Sequence, residues 1–133
     1  MADVDLIAVP LANMSKPLGP YTPAVRAGDL VFVSGQVGVA DGALVEGGVA
    51  GQTRQAVANL AAQLESMGAS LTDVVKTTCF LVDMDAFATF NDAYVDAMGA
   101  HRPARSTVAV RELPVGAVVE IEAIAYRPAR PSD

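Results

Sequence analysis

At 133 residues, the chain has room for one domain built on a single hydrophobic core. Its net charge of −6 disfavours a phosphate-backbone partner, and its basic residues are scattered apart from a loose group at Arg102, Arg105 and Arg111. The lone cysteine, Cys79, excludes an intramolecular disulfide.

The first residues carry Asp3 and Asp5 where a signal peptide carries Lys or Arg, and no apolar run reaches the length of a membrane span. A cytoplasmic protein without a membrane segment is expected. Residues 6–9 form a short apolar run that reads as a strand. Residues 13–21 hold Pro17, Gly19 and Pro20 and read as loop. Residues 24–27 and 30–34 flank Gly28-Asp29, the signature of a two-residue hairpin turn. Gly35 and Gly38 loosen the chain, and Asp41-Gly42 marks a further turn.

Residues 50–67 form the clearest helix: Val49, Thr53, Ala56, Val57, Leu60, Leu64 and Met67 recur at steps of three and four. Gly68 follows as a left-handed cap. Residues 74–82, dense in Val, Thr and Phe, read as a strand covered on both faces. A second helix spans 86–98, with Asp85 as N-cap and Phe87, Phe90, Asn91, Tyr94 and Met98 on one face, and Gly99 ends it. Strands at 105–111 and 118–126 close the chain, joined through Leu113-Pro114-Val115-Gly116 as an antiparallel hairpin. The tail from Arg127 is expected to fray. The order implies an α+β fold, one sheet with both helices on one face.

In that hairpin, Ser106, Val108 and Val110 share one face of the first arm, with Arg105, Thr107, Ala109 and Arg111 opposite. The second arm has Val119, Ile121, Ala123 and Ala125 on one face and Glu120 and Glu122 on the other. The apolar faces must meet the helices together, so Arg105, Arg111, Glu120 and Glu122 are expected to share the other sheet surface. Two readings stay open. One is a solvated face with cross-strand ion pairs, each contributing roughly 0.2–1 kcal/mol. The other is an anion site, with an arginine fork for a carboxylate and a glutamate for a proton or a water. The apolar fraction of 52% likewise fits either a subunit interface or a core rich in alanine and valine.

A series of short motifs runs in order: Gly19-Pro20-Tyr21, Val33-Ser34-Gly35-Gln36, Gln52-Thr53-Arg54-Gln55-Ala56 with Asn59-Leu60, and Val74-Val75-Lys76-Thr77-Thr78. Phe87-Ala88-Thr89-Phe90-Asn91, Pro103-Ala104-Arg105-Ser106-Thr107 and Glu120-Ile121-Glu122-Ala123-Ile124-Ala125 complete it. By these motifs the chain resembles the RidA/YjgF family from about residue 13 to residue 127, within a single domain spanning 1–133. The resemblance implies a chorismate mutase-like fold and a homotrimer with a barrel-like core, whose clefts lie between neighbouring subunits. It also implies hydrolysis of 2-aminoacrylate and related enamines or imines to 2-keto acids and ammonia, with no metal and no organic cofactor. A pathway-specific deaminase of 3-aminoacrylate or 2-aminomuconate, and a non-catalytic regulator that binds 2-keto acids, are the alternatives.

Carried over by residue, the resemblance gives Arg105 the substrate carboxylate and Glu120 the attacking water. It places Tyr21, Ser34 and Asn91 near the cleft, with the Gly35 backbone N–H on the carboxylate. On their own, Gly19-Pro20-Tyr21 would pass for a turn and Asn91 for the edge of a buried helix face. Thr107 stands where many members carry a cysteine; the contribution there is from the backbone. Ala97-Met98 replaces aromatics common in related chains. Cys79 reads as a small core residue and His101 as a loop residue; neither belongs to a cluster with metal-ligand spacing.

Overall fold

The computed structural model describes residues 4–7 and 17–129. Strand β1 is Val4–Ile7, two residues earlier than the apolar run suggested; Ala8 and Val9 lie outside the described residues, as do 13–16 of the expected loop. The first hairpin forms as its Gly28-Asp29 turn requires. β2 (Ala24–Ala27) pairs antiparallel with β3 (Leu30–Val37), Ala27 opposite Leu30. Asp41 and Gly42 both take left-handed φ, 53° and 83°, and turn β4 (Val39–Ala40) into β5 (Ala43–Leu44).

Helix α1 spans Gly48–Ser66, and its periodic side chains bury Ala56, Val57, Leu60 and Leu64 against the sheet. Gly68, at φ 78°, ends it: the N–H groups of Gly68 and Ala69 return to the carbonyls of Glu65 and Leu64. Two motif residues of α1 act structurally. Gln52 accepts from the Val118 N–H at 2.9 Å, and the Asn59 amide donates to the carbonyls of Val37 and Val39. Helix α2 spans Phe87–Met98. Its entry is a 3-10 turn over Met84–Ala86 capped by Asp83, whose carboxylate accepts from the Asp85 N–H; Asp85 is not the cap.

The sheet corrects the hairpin expected at the C-terminal end. Its order is β1-β2-β3-β8-β6-β7, where β6 is Val74–Leu81, β7 is Ala104–Ala109 and β8 is Val119–Tyr126. β7 runs parallel to β6 at the edge, and β8 lies antiparallel between β3 and β6. β7 and β8 therefore do not touch as neighbours. The result is a mixed sheet with both helices on one face, over a core that includes Phe90, Leu60, Leu64, Leu81 and Ile121.

Register then fixes the faces. Thr77 sits opposite both Arg105 and Ala123, and Cys79 opposite both Thr107 and Ile121, so these all face the helices. The other face carries Lys76, Thr78, Phe80, Ser106, Val108, Glu120, Glu122 and Ile124. Val108, expected inside, is 44% exposed. β6 is likewise covered on one face only, with Val75 exposed. Arg111 falls in a bend beyond β7.

The first part of the tail is tied down rather than frayed. The N–H groups of Arg127 and Ala129 donate to the Asp29 carbonyl and carboxylate. Arg26 holds the same corner, donating to the carbonyls of Met67, Gly28 and Arg127 at 2.7, 3.1 and 2.8 Å. It closes the C-terminal end of α1 with a cation where the helix dipole is negative. Arg26→Ala is expected to cost about 2 kcal/mol, the scale of lost charge-assisted hydrogen bonds. A urea midpoint unchanged from the parent would contradict that role.

Candidate active site

One group of expected site residues gathers at the outer edge of β3. β2 stops at Ala24, opposite Val33, and the β3–β8 register slips by one residue between Val33 and Gln36. With no β2 pairing beyond Ala24, that edge of β3 is open past Pro23. The pocket there is lined by Leu18, Tyr21, Gly35, Gln36, Gln63 and Glu120 among others. Gly35 is required by close approach: a Cβ on it would overlap the Glu120 carboxyl. Tyr21 stands on the Gly19-Pro20 turn, its N–H bonded to the Gly19 carbonyl and its hydroxyl accepting from the Leu18 N–H. Ser34 lies in the bulge beside Gly35 and donates its hydroxyl to the Pro23 carbonyl.

Glu120 is half-buried, and its carboxyl is held above the usual carboxylate range by burial first and by the Glu122 charge second. The described ion pairs are Arg54–Asp96 and Arg127–Asp73, so among the described residues Glu120 has no cationic partner. The cross-strand pairing of Glu120 with Arg105 or Arg111 is thus corrected.

The second group gathers on the helix side of β7. Arg105 donates to Asn91 Oδ1 at 2.7 Å, and its Cζ lies 5.6, 5.3 and 4.9 Å from the ring centroids of Phe87, Phe90 and Tyr94. It too has no carboxylate partner among the described residues. Thr107, two residues along the same face, keeps a buried hydroxyl with no hydrogen-bond partner among the described residues. Beneath it lies Cys79, whose thiol is pushed up to about 11, chiefly by burial, and which is a core residue. His101 lies in the loop after α2, its Nε2 within 2.7 Å of the Val74 carbonyl.

The expected residues therefore gather in two separate groups, with Glu120 and Arg105 on opposite faces of the sheet. Tyr21, Ser34, Gly35 and Glu120 make one; Asn91, Arg105 and Thr107 make the other. The sequence showed the face of α2 as a buried stripe and missed its rings as the surroundings of Arg105. Only the spacing of positions 87, 90, 91 and 94 could have signalled it. It also missed Gln63, a buried amide in the pocket wall.

A family model described as Endoribonuclease L-PSP matches residues 12–127. A RutC family protein of Pyrococcus horikoshii is 44% identical over 86% of this chain and 93% of its own. A protein of Bos taurus named 2-iminobutanoate/2-iminopropanoate deaminase is 43% identical over 83% of this chain and 82% of its own. The crystal structure of RidA from an Antarctic Psychrobacter is 38% identical, with a TM-score of 0.84 over 90% of this chain and 98% of that one. Motifs, fold and relatives agree, and the chain belongs to the RidA/YjgF family.

Proposed function

We propose that this protein hydrolyses reactive enamines and imines, such as 2-aminoacrylate and 2-iminopropanoate, to 2-keto acids and ammonia. The carrying observation is Arg105, a half-buried guanidinium with no carboxylate partner among the described residues and most of its N–H donors open. Such a group accepts a ligand carboxylate. The names of the deaminase relatives support the reading, and the net charge of −6 argues against a nucleic-acid substrate.

In the proposed reaction, the enamine gains a proton at C3 and becomes the iminium. Arg105 holds the carboxylate and Glu120 takes a proton from a water whose oxygen bonds to C2. That proton passes to the nitrogen of the tetrahedral adduct. The C2–N bond breaks, ammonia leaves, and the C2 hydroxyl loses its proton to give the keto acid. A carboxyl raised by burial holds a proton more readily than an ordinary glutamate, which suits Glu120 to this exchange.

With Glu120 and Arg105 on opposite faces of the sheet, the proposed site draws one group from each of two neighbouring copies, in the homotrimer that the family resemblance implies. The open sheet face, where Phe32, Phe80, Val108 and Ile124 interleave with Lys76, Thr78 and Glu122, would supply the contact. Light scattering is expected to give three times the 13.7 kDa chain mass at micromolar concentration. A stable monomer that still turns over substrate would refute the shared site. The activity itself is tested by release of ammonia and pyruvate from 2-aminoacrylate generated in place by a dehydratase. Pyruvate binding without turnover would instead identify a regulator.

A further inference from the structure

Among the described residues Arg105 has no carboxylate counter-ion, and three aromatic rings surround its guanidinium. Positions 87, 90, 91 and 94 form one stripe of α2. That stripe supplies the rings of Phe87, Phe90 and Tyr94, all within 5.6 Å of the guanidinium carbon, and the Asn91 oxygen that accepts from Arg105. Two of the rings are fixed in the core. Phe90 and Tyr94 are buried with centroids 5.6 Å apart. The Tyr94 hydroxyl is 2.8 Å from the hydroxyl of Thr77, the residue opposite Arg105 in the β6–β7 register. Phe87, 39% exposed, forms the outer wall.

A ring face attracts a cation through its quadrupole but uses none of the N–H donors. A carboxylate in the same place would hold the arginine as well, yet it would compete with any anionic ligand. A bare arginine would be ordered only when the ligand binds, which weakens binding.

We propose that Phe87, Phe90 and Tyr94 are positioning residues that hold the Arg105 guanidinium in place while leaving its charge and donors free for a small monocarboxylate. This rests on the reading of Arg105 as the carboxylate-binding residue, and it supplies the reason that residue is ready before substrate arrives.

The test uses Phe87→Leu, the exposed ring, with Phe87→Tyr as the variant that keeps a ring. Two measurements are made on the assembled protein. In the first, the Arg105 Nε–H resonance, assigned by its loss in Arg105→Lys, is recorded without ligand. It should be displaced by the rings in the parent, move towards the position of a free arginine in Phe87→Leu, and stay displaced in Phe87→Tyr. In the second, pyruvate affinity is read by calorimetry beside KM and kcat. Phe87→Leu should weaken pyruvate and raise KM by roughly two- to thirty-fold, the range for one cation–π contact. kcat should be little altered, because the carboxylate is held alike in the ground and transition states. Phe87→Tyr should restore the affinity. An Arg105 resonance at the free position in the parent, or unchanged pyruvate affinity in folded Phe87→Leu, overturns the proposal. If the parent binds no pyruvate while its Arg105 signal is displaced and moves in Phe87→Leu, the carboxylate reading falls and the positioning role stands.

Discussion

Arg105→Ala is expected to abolish imine hydrolysis while the protein stays folded. The fold does not depend on this side chain for an ion pair, since no carboxylate partners it among the described residues. β7 is an edge strand, and its backbone pairing with β6 is indifferent to the side chain. The loss should therefore fall on ligand binding, where a charged partner to a desolvated carboxylate is worth roughly 2–5 kcal/mol. Arg105→Lys should fail almost as completely. An ammonium keeps the charge, but it has no plane to lie against the rings of Phe87, Phe90 and Tyr94 and no fork for two carboxylate oxygens. The decisive measurement is turnover of 2-iminopropanoate beside circular dichroism and light scattering on the same sample. Near-normal turnover in a folded, assembled Arg105→Ala protein would end the assignment.

What the sequence disclosed and what it hid divide along the distance between interacting residues. Helices α1 and α2, the Gly28-Asp29 and Asp41-Gly42 turns and the Gly68 cap rest on neighbours a few positions apart, and all were legible. The C-terminal hairpin was not. A turn-rich linker between two strand-like runs looks the same whether the second strand pairs with the first or is inserted elsewhere. Here β8 enters between β3 and β6, and its partners are as remote as Val33 and Thr77. Once the pairing was misread, the faces followed. Arg105 was placed beside Glu120 because both sit on mixed faces of their own strands, and parity alone does not say which face meets the helices. Family motifs supply the expected site residues without that geometry. They named Tyr21, Gly35 and Glu120, which line one pocket, and Asn91 and Arg105, which touch. Neither motif nor periodicity showed that these were two separate places in one chain.

Glu120→Gln distinguishes catalysis from structure because the two roles predict opposite changes in stability. A glutamate engaged by an arginine would leave that arginine uncompensated on substitution, and the protein would melt earlier. Among the described residues no such arginine is present, and the carboxyl is instead raised by burial and by the neighbouring Glu122 charge. A carboxyl raised in the folded state contributes stability that is whole below its unfolded value, near 4.5, and lost as pH rises through the folded value. Above that window an ionised Glu120 weakens the fold. The neutral amide removes that cost, so Glu120→Gln is expected to melt no lower than the parent at pH 7 and slightly higher, with the difference closing as the pH falls to about 4. Turnover should move the other way, by roughly 10²–10⁴-fold, since an amide does not accept the proton of the attacking water. Pyruvate should still bind through Arg105. In the parent, kcat/KM should fall on the acid side with a midpoint above that of an ordinary glutamate. Glu122→Gln removes the like charge, so it should shift that midpoint to lower pH and leave the neutral-pH rate largely intact. A Glu120→Gln protein that melts earlier yet keeps normal turnover per folded chain would show that the carboxylate supports the structure and not the reaction.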